Sequence, residues 1–345
     1  MAASEKGGIV TKLRYGENAY QQAEFCWGPA ARDPLALGHF STLAGELGMV
    51  NMTDMERALT TLTYTHAALT ATVIPDTPFQ IALAVKHGNC CGAAYHLSKD
   101  GALRSMIEGD LDAVMGGCVM VNFPIGVNEA EILLHHPNEK RRIIDVLIAP
   151  SISSEAIALL ARKEDRCKMI INEALGYLPA LPNSGVSMEK RRRQVRGGEI
   201  VQDAYRVPQL FTENTFISGN RRRRLEPDLA FAAAICATSN SNTINLVKDG
   251  MLLGQGVGQT TRVGAAELAV KIANKRGRRT DGAVSVGDSF FPFDDGVKVL
   301  IEAGITALFS TSGALRDQEV RDACVEGNVT LYQLPDKEAR MFFGH

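Results

Sequence analysis

The segment AVKHGNCCGAA, residues 84–94, sets a lysine, a histidine and two cysteines around Gly88, directly after an apolar run. Three chemistries use such residues: metal ligation, thiol attack and acid/base work. A zinc site fits poorly. Adjacent Cys90 and Cys91 cannot easily both turn toward one tetrahedral ion, structural sites space their ligands as C-x₂₋₄-C, and no second cysteine pair follows. The zinc-deaminase pattern of H-x-E with a later P-C-x-x-C is also missing. The two thiols read better as small buried residues packing a turn. Lys86 and His87 differ in kind. Where a strand stops and turns, here at Gly88 and Asn89, neighbouring residues can both reach a cleft. His87 would then accept a proton while Lys86 hydrogen-bonds a developing oxyanion. An exposed lysine beside a hydrogen-bonded histidine accounts for the same residues.

Two further stretches could hold a flat ligand. GQGVGQTTR, residues 254–262, lacks the third glycine of the dinucleotide G-x-G-x-x-G and the acidic residue after a following strand. It reads as a turn that brings backbone close to a planar group, with Thr261 and Arg262 as polar contacts. GDSFFPFDDG, residues 287–296, groups Phe290, Phe291 and Phe293 around Pro292, flanked by Asp288, Asp294 and Asp295. An apolar slot with carboxylates at its rim suits a heterocycle carrying N–H donors; a core turn with solvated acids has the same composition. The arginine runs 191–193 and 221–224 are not interleaved with aromatics, so they read as solvated loops rather than a nucleic-acid surface.

Positioning such groups needs a rigid frame, and 345 residues suffice for two packed domains. The balance of 37 Lys+Arg against 39 Asp+Glu, net −2, supplies no field toward nucleic acid or anionic membrane. Seven irregularly spaced cysteines imply reduced thiols. No apolar leader and no window of ~18 uninterrupted apolar residues is present. The expectation is a soluble, cytoplasmic, small-molecule enzyme. Short β-rich runs (FQIALAVKH, DAVMGGCVMVNF, RIIDVLIAP, RCKMIIN, TINLV, GAVSVGDSFF, ITALFS) alternate with helical patterns, which predicts a layered α/β architecture. Thr53 with Glu56 predicts a capping box, Ser153 or Ser154 starts a second helix, and Asp317 a third. Arginine and glycine without apolar periodicity set residues 184–228 apart as a linker or excursion between domains at 12–183 and 229–345. A strand running into KHGN, residues 86–89, and a helix running into TSNSNT, residues 238–243, suggest a weak internal duplication.

LRYGENAYQQA resembles L-R-Y-G-x-N-P-H-Q, the opening of the AICAR transformylase domain of bifunctional purine-biosynthesis enzymes, whose other domain is inosine monophosphate cyclohydrolase. VKHGNCCGAA is similar to V-K-H-T-N-P-C-G-A-A of that family, and DAVMGGCVMVN to its S-A-F-G-G-I-I-A-F-N. SNTINLVKDGMLLGQGVGQTTRV resembles S-N-A-I-V-Y-A-K-D-G-x-x-x-G-x-G-A-G-Q-x-S-R-V, and GDSFFPFDDG resembles S-D-A-F-F-P-F-x-D-G. The likeness is collinear over residues 12–345. It implies two tandem cytidine-deaminase-like α/β subdomains, three layers deep and without zinc, in a homodimer with active sites at the subunit interface. It also implies formyl transfer from 10-formyltetrahydrofolate to the 5-amino group of aminoimidazole carboxamide ribotide (AICAR). That amine is a poor nucleophile, so proton removal must accompany attack.

Carried over by position, the resemblance makes His87 the proton acceptor, Lys86 its partner at the oxyanion or the departing folate nitrogen, and Asn242 the residue orienting the carboxamide. Arg14, Tyr15, Asp145, Arg340 and Phe342 would contact the ribotide. Met115, Gly116, Gly117, Thr261, Arg262, Val263, Phe290, Pro292, Phe293 and Asp295 would form the folate pocket. A structural potassium ion accompanies the expectation without assigned ligands. The chain also departs from the pattern. The expectation is of a chain with no cyclohydrolase domain before Arg14, while Ala237 and Asn240 replace lysines, and TSGA at 311–314 replaces a P-G-G-S anion turn. These changes remove grips on a phosphorylated substrate and leave two alternatives: a paralogue formylating another amine, and a non-catalytic folate-binding partner subunit. Retention of both Lys86 and His87 speaks against the second.

Overall fold

The computed structural model describes residues 2–3, 9–28, 33–72, 78–178, 190–207, 209–275 and 277–344. The chain folds as two compact units: Met1–Leu62 with Asp76–Leu178 and Gly250–Leu252, and Thr63–Pro75 with Pro179–Asp249 and Leu253–His345.

In the first unit β1 (Ala2–Ala3), β2 (Ile9–Lys12) and β3 (Glu24–Trp27) form a small antiparallel sheet. β4 (Ser41–Ala44) leads to α1 (Met49–Thr72), whose residues from Thr63 on cluster with the second unit, then to the hairpin β5 (Gln80–Lys86) and β6 (Asn89–His96). There follow α2 (Lys99–Gly109), α3 (Leu111–Val114), β7 (Cys118–Val121), α4 (Val127–His135), β8 (Val146–Ala149), α5 (Ser154–Leu160) and β9 (Lys168–Ile171). These strands order as β6-β5-β7-β8-β9-β4. β7, β8 and β9 run parallel, connected through α4 and α5, and the outer pairings are antiparallel. Ile81–Val85 are all buried, as a strand covered on both faces requires. Ser153 caps α5 by accepting from Ala156 N.

The expected cap of α1 is different. The helix starts at Met49, and Asn51 reaches back to accept from Gly48 N at 3.1 Å. Thr53 lies inside the first turns, its hydroxyl donating to Val50 O.

The second unit has the hairpin β10 (Arg191–Val195) and β11 (Gly198–Gln202), then β12 (Phe216–Ser218) and α6 (Glu226–Cys236). After these come β13 (Ile244–Lys248), β14 (Met251–Gly256), α7 (Arg262–Lys275), β15 (Val284–Gly287), α8 (Asp295–Glu302), β16 (Ala307–Ser312), α9 (Asp317–Glu326), β17 (Thr330–Pro335) and α10 (Asp336–Ala339). The described part of the range 184–228 clusters with this unit. Arg191–Arg193 lie on an exposed hairpin, β12 pairs with β17, and Arg221 ion-pairs with Glu226 at the start of α6. Residues 184–189 lie outside the described residues.

Each unit repeats one topology. The order β14-β13-β15-β16-β17-β12 matches β6-β5-β7-β8-β9-β4 strand for strand, including three parallel strands after a hairpin and an antiparallel edge. The duplicated segments are therefore V-K-H-G at 85–88 and V-K-D-G at 247–250, both hairpin tips, rather than KHGN and TSNSNT. His87 and Gly88 have φ of 54° and 72°; Asp249 and Gly250 have 50° and 75°.

Candidate active site

Lys86 ends β5 and Asn89 begins β6, so His87 and Gly88 alone make the turn, one residue earlier than the sequence suggested. Positive φ at both positions defines a type I′ hairpin. Glycine takes it freely, whereas a histidine in the left-handed region costs about 1–2 kcal/mol. The same left-handed φ recurs at Asp249, so this conformation belongs to the hairpin of both units, and the histidine at the tip is what sets the first apart. Among the described residues none hydrogen-bonds the His87 ring, and the residue is exposed. Cys90 and Cys91 belong to β6, not to the turn, with their thiols on the carbonyls of Gly92 and Ala84. Burial pushes the Cys90 thiol up to about 12, which removes it as a nucleophile at neutral pH.

Lys86 Nζ donates to the Met115 carbonyl at 2.9 Å, leaving two ammonium hydrogens for another partner. The loop Met115–Gly117 arrives here because β7 pairs Cys118 with Val85. Gly116 has φ 75°, and a Cβ there would sit 3.9 Å from both Lys86 Nζ and Asp145 Oδ2. A side chain at 116 would thus fill the space between ammonium and carboxylate. Asp145, just before β8, is held by Arg162 at 2.9 Å. Arg162 was not singled out by sequence, where it reads as the basic end of a helix. Arg14 lies 5.9 Å from the Tyr15 ring centroid and lines a cleft of about 670 Å³ with Lys12, Phe25, Trp27, Met52 and Met55. Lys86 and His87 are not among its walls.

In the second unit Asn242 follows a cis Ser241–Asn242 peptide. Its Nδ2 donates to Gln259 O at 2.8 Å, and its Oδ1 accepts from Arg262 Nη2 at 2.9 Å. Arg262 Nη1 pairs with Asp288 Oδ1 at 2.5 Å, and Asp288 Oδ2 accepts from Thr243 N at 3.0 Å. Asp288 is fully buried, so it belongs to this network and not to the rim of a slot. The carboxamide of Asn242 is thereby locked in one orientation, with its second N–H unused by these contacts. Thr261 caps α7, its Oγ1 accepting from Gly264 N. Val263 packs at the start of α8, where a Cβ on Gly296 would come within 3.4 Å of its Cα.

The phenylalanine slot resolves differently from expectation. Phe291 is a core ring, Phe290 is half-buried, Pro292 is exposed, and Phe293 is exposed with the Arg316 guanidinium 4.9 Å from its ring centroid. Asp295 accepts from Gly296 N at the start of α8. Arg340 pairs with Asp336, which also accepts from Ser289 and Thr311. Burial works to raise the Asp336 carboxyl, but the hydrogen bonds from Arg340, Thr311 and Ser289 prevail and hold it below the usual range. Arg340 and Phe342 line a cleft of about 550 Å³ with Arg206, Lys337, Tyr205 and Ala237. In the TSGA turn, Gly313 N and Ala314 N donate to Asp317. The amides that could receive an anion are already taken.

The first unit thus gathers Lys86, His87, Met115, Gly116 and Asp145, with Gly117 beside them. The second gathers Asn242 and Arg262 around Asp288, flanked by Thr261 and Val263. Among the described residues, no group of three or more His, Cys, Asp or Glu could hold a metal ion, and no helix is long and apolar enough to cross a membrane.

A family model described as AICARFT/IMPCHase bienzyme matches residues 3–272. Proteins named "Bifunctional purine biosynthesis protein PurH" are similar to this chain. That of Prochlorococcus marinus (strain MIT 9215) is 33% identical over 92% of this chain and 57% of its own length. That of Oceanobacillus iheyensis is 30% identical over 93% and 58%, and that of Thermotoga maritima 29% over 95% and 63%. The chain therefore spans about three-fifths of the length of these relatives. A crystal structure of a diaminohydroxyphosphoribosylaminopyrimidine deaminase/5-amino-6-(5-phosphoribosylamino)uracil reductase from Thermotoga maritima matches 28% of this chain and 30% of that one. Its TM-score is 0.22 at 20% identity.

Proposed function

The chain belongs to the AICARFT/IMPCHase bienzyme family, and from that membership we propose that it transfers a formyl group from 10-formyltetrahydrofolate to the 5-amino group of AICAR. The observation that carries this reading is the exposed His87 at a strained hairpin tip, next to a lysine with two unused donors. In the proposed reaction the amine nitrogen attacks the formyl carbon while His87 takes the amine proton. Lys86 stabilises the tetrahedral oxyanion, the bond from the formyl carbon to the folate N10 breaks, and N10 gains a proton as it leaves. Asn242, fixed by Gln259 and Arg262, orients the carboxamide beside the reacting amine. Arg14, Tyr15, Asp145, Arg340 and Phe342 are assigned to the ribotide. The Met115–Gly117 loop, Thr261–Val263 and the Phe290–Asp295 segment are assigned to folate.

The homodimer with interface active sites belongs to the same proposal, and sedimentation velocity tests it. No step of the chemistry runs through potassium. The decisive experiment incubates the purified chain with AICAR and 10-formyltetrahydrofolate and follows tetrahydrofolate and the formamido ribotide. Turnover that disappears in His87→Ala, with AICAR still bound, is the expected result. No transfer to AICAR alongside transfer to another amine would replace this acceptor with that one.

A further inference from the structure

The His87–Gly88 peptide is held at both of its polar ends. Its N–H, on Gly88, donates to Asp54 Oδ1 at 2.7 Å, and its carbonyl, on His87, accepts from Asn89 Nδ2 at 3.2 Å. Asp54 is a buried residue of α1, between Met52 and Met55, which face the cleft lined by Arg14. In a type I′ turn the N–H of the second central residue takes no part in the strand ladder. Rotation of this central peptide by half a turn would exchange its N–H and carbonyl and re-aim the residue before it. A carboxylate only accepts, so Asp54 favours one orientation and repels the other, in which the carbonyl oxygen would face it.

The repeated unit provides an internal comparison. There Asp228 of α6, equally a buried helix carboxylate, accepts from the N–H of Asp249, the residue that corresponds to His87. Both helices anchor their hairpin tip through a buried carboxylate, and of the two tips it is the first that carries a histidine. Lys86 also has its counterpart. Its bond to the Met115 carbonyl recurs as Lys248 Nζ to Asp281 O at 2.7 Å, so that contact is part of the frame of both units.

We infer that Asp54 is a positioning residue of the active site: by holding the Gly88 N–H it fixes the plane of the central peptide and with it the direction of the His87 imidazole. This rests on the proposed role of His87 in formyl transfer. The test is Asp54→Asn, which has the same shape but can either accept from the N–H or donate to a flipped carbonyl. Asp54→Ala is the companion variant, and far-UV circular dichroism verifies that each folds. Two readouts are taken on the full chain: kcat and KM for formyl transfer, and the ring signals of ¹³C-labelled histidine, with His87 identified by its loss in His87→Gln.

The expected result for Asp54→Asn is a fall in kcat of about tenfold or more, KM within about threefold, and a His87 signal that broadens or doubles. An unchanged kcat in Asp54→Asn overturns the inference whatever the spectra show, because a carboxylate that merely filled a buried hydrogen bond would tolerate the amide. If the wild-type chain formylates no amine, the proposed function fails by itself. The inference then stands on a doubled or broadened His87 signal and falls on a single sharp one.

Discussion

At the scale of single residues, the left-handed backbone at His87 separates function from stability. His87→Gly removes the steric cost of φ 54° together with an exposed side chain. It should be no less stable than wild type and up to about 1 kcal/mol more stable, while losing roughly 10²–10⁴-fold in kcat with the proposed proton acceptor. Differential scanning calorimetry and the transfer assay read the two effects, and a variant that is both active and more stable would remove His87 from the chemistry. Arg262 behaves in the opposite way. It holds Asn242 and the fully buried Asp288 together, so Arg262→Ala strands a buried carboxylate and should cost about 3–5 kcal/mol in urea unfolding. Arg262→Lys restores charge without the fork and should recover stability more than turnover. His87 and Arg262 were legible in the sequence because each sits in a motif with its neighbours. Asp54 and Arg162 were not, since their partners lie 34 and 17 residues away and neither the TDMERAL nor the ALLARK pattern differs from an ordinary helix.

At the scale of elements, stretches with continuous apolar runs were read correctly, β5 and β8 among them, because strands buried on both faces need such runs. β6 was missed for the converse reason. Its sequence NCCGAAYH has no β-branched residue, and small side chains suit it because Gly92 lies against Met106 O, where a Cβ would come within 2.6 Å. The start of α1 was misplaced because Thr53 and Glu56 imitate a capping box, while the working cap is Asn51 reaching back to Gly48. Thr261 was assigned to folate by position, and the structure gives it a second task as the cap of α7. Thr261→Ala should therefore cost about 1 kcal/mol of stability, whereas Thr261→Ser keeps the hydroxyl and should cost little. If the KM for 10-formyltetrahydrofolate rises in the alanine variant and not in the serine variant, the cap also sets the folate side of the site. A rise in the serine variant would instead point to the threonine methyl group.

At the scale of the whole molecule, burial is what distinguishes the thiols. Cys26 is exposed, while the other six are buried or half-buried and none is in a disulfide. Burial pushes the thiols of Cys90 and Cys324 up to about 12 and that of Cys167 to about 11, and it raises Cys91, Cys118 and Cys236 as well. In an unfolded chain these groups lose their protons near pH 9, whereas the native protein keeps them. Native stability contributed by the buried thiols is thus complete below about pH 9 and is lost as pH rises through the native values, by about 1.4 kcal/mol per pH unit for each thiol concerned. Asp336 acts at the other end: its carboxyl is held low, so its contribution is present above the ordinary carboxylate range and is lost as pH falls through it. Urea midpoints should accordingly hold level near neutrality and fall steeply above pH 9. Iodoacetamide at pH 8, read by intact mass and peptide mapping, should modify Cys26 in the native protein and reach the remaining thiols only in urea. Rapid native labelling of Cys90 or Cys91 would contradict the packing of β6 and return these thiols to consideration as reactive groups beside His87.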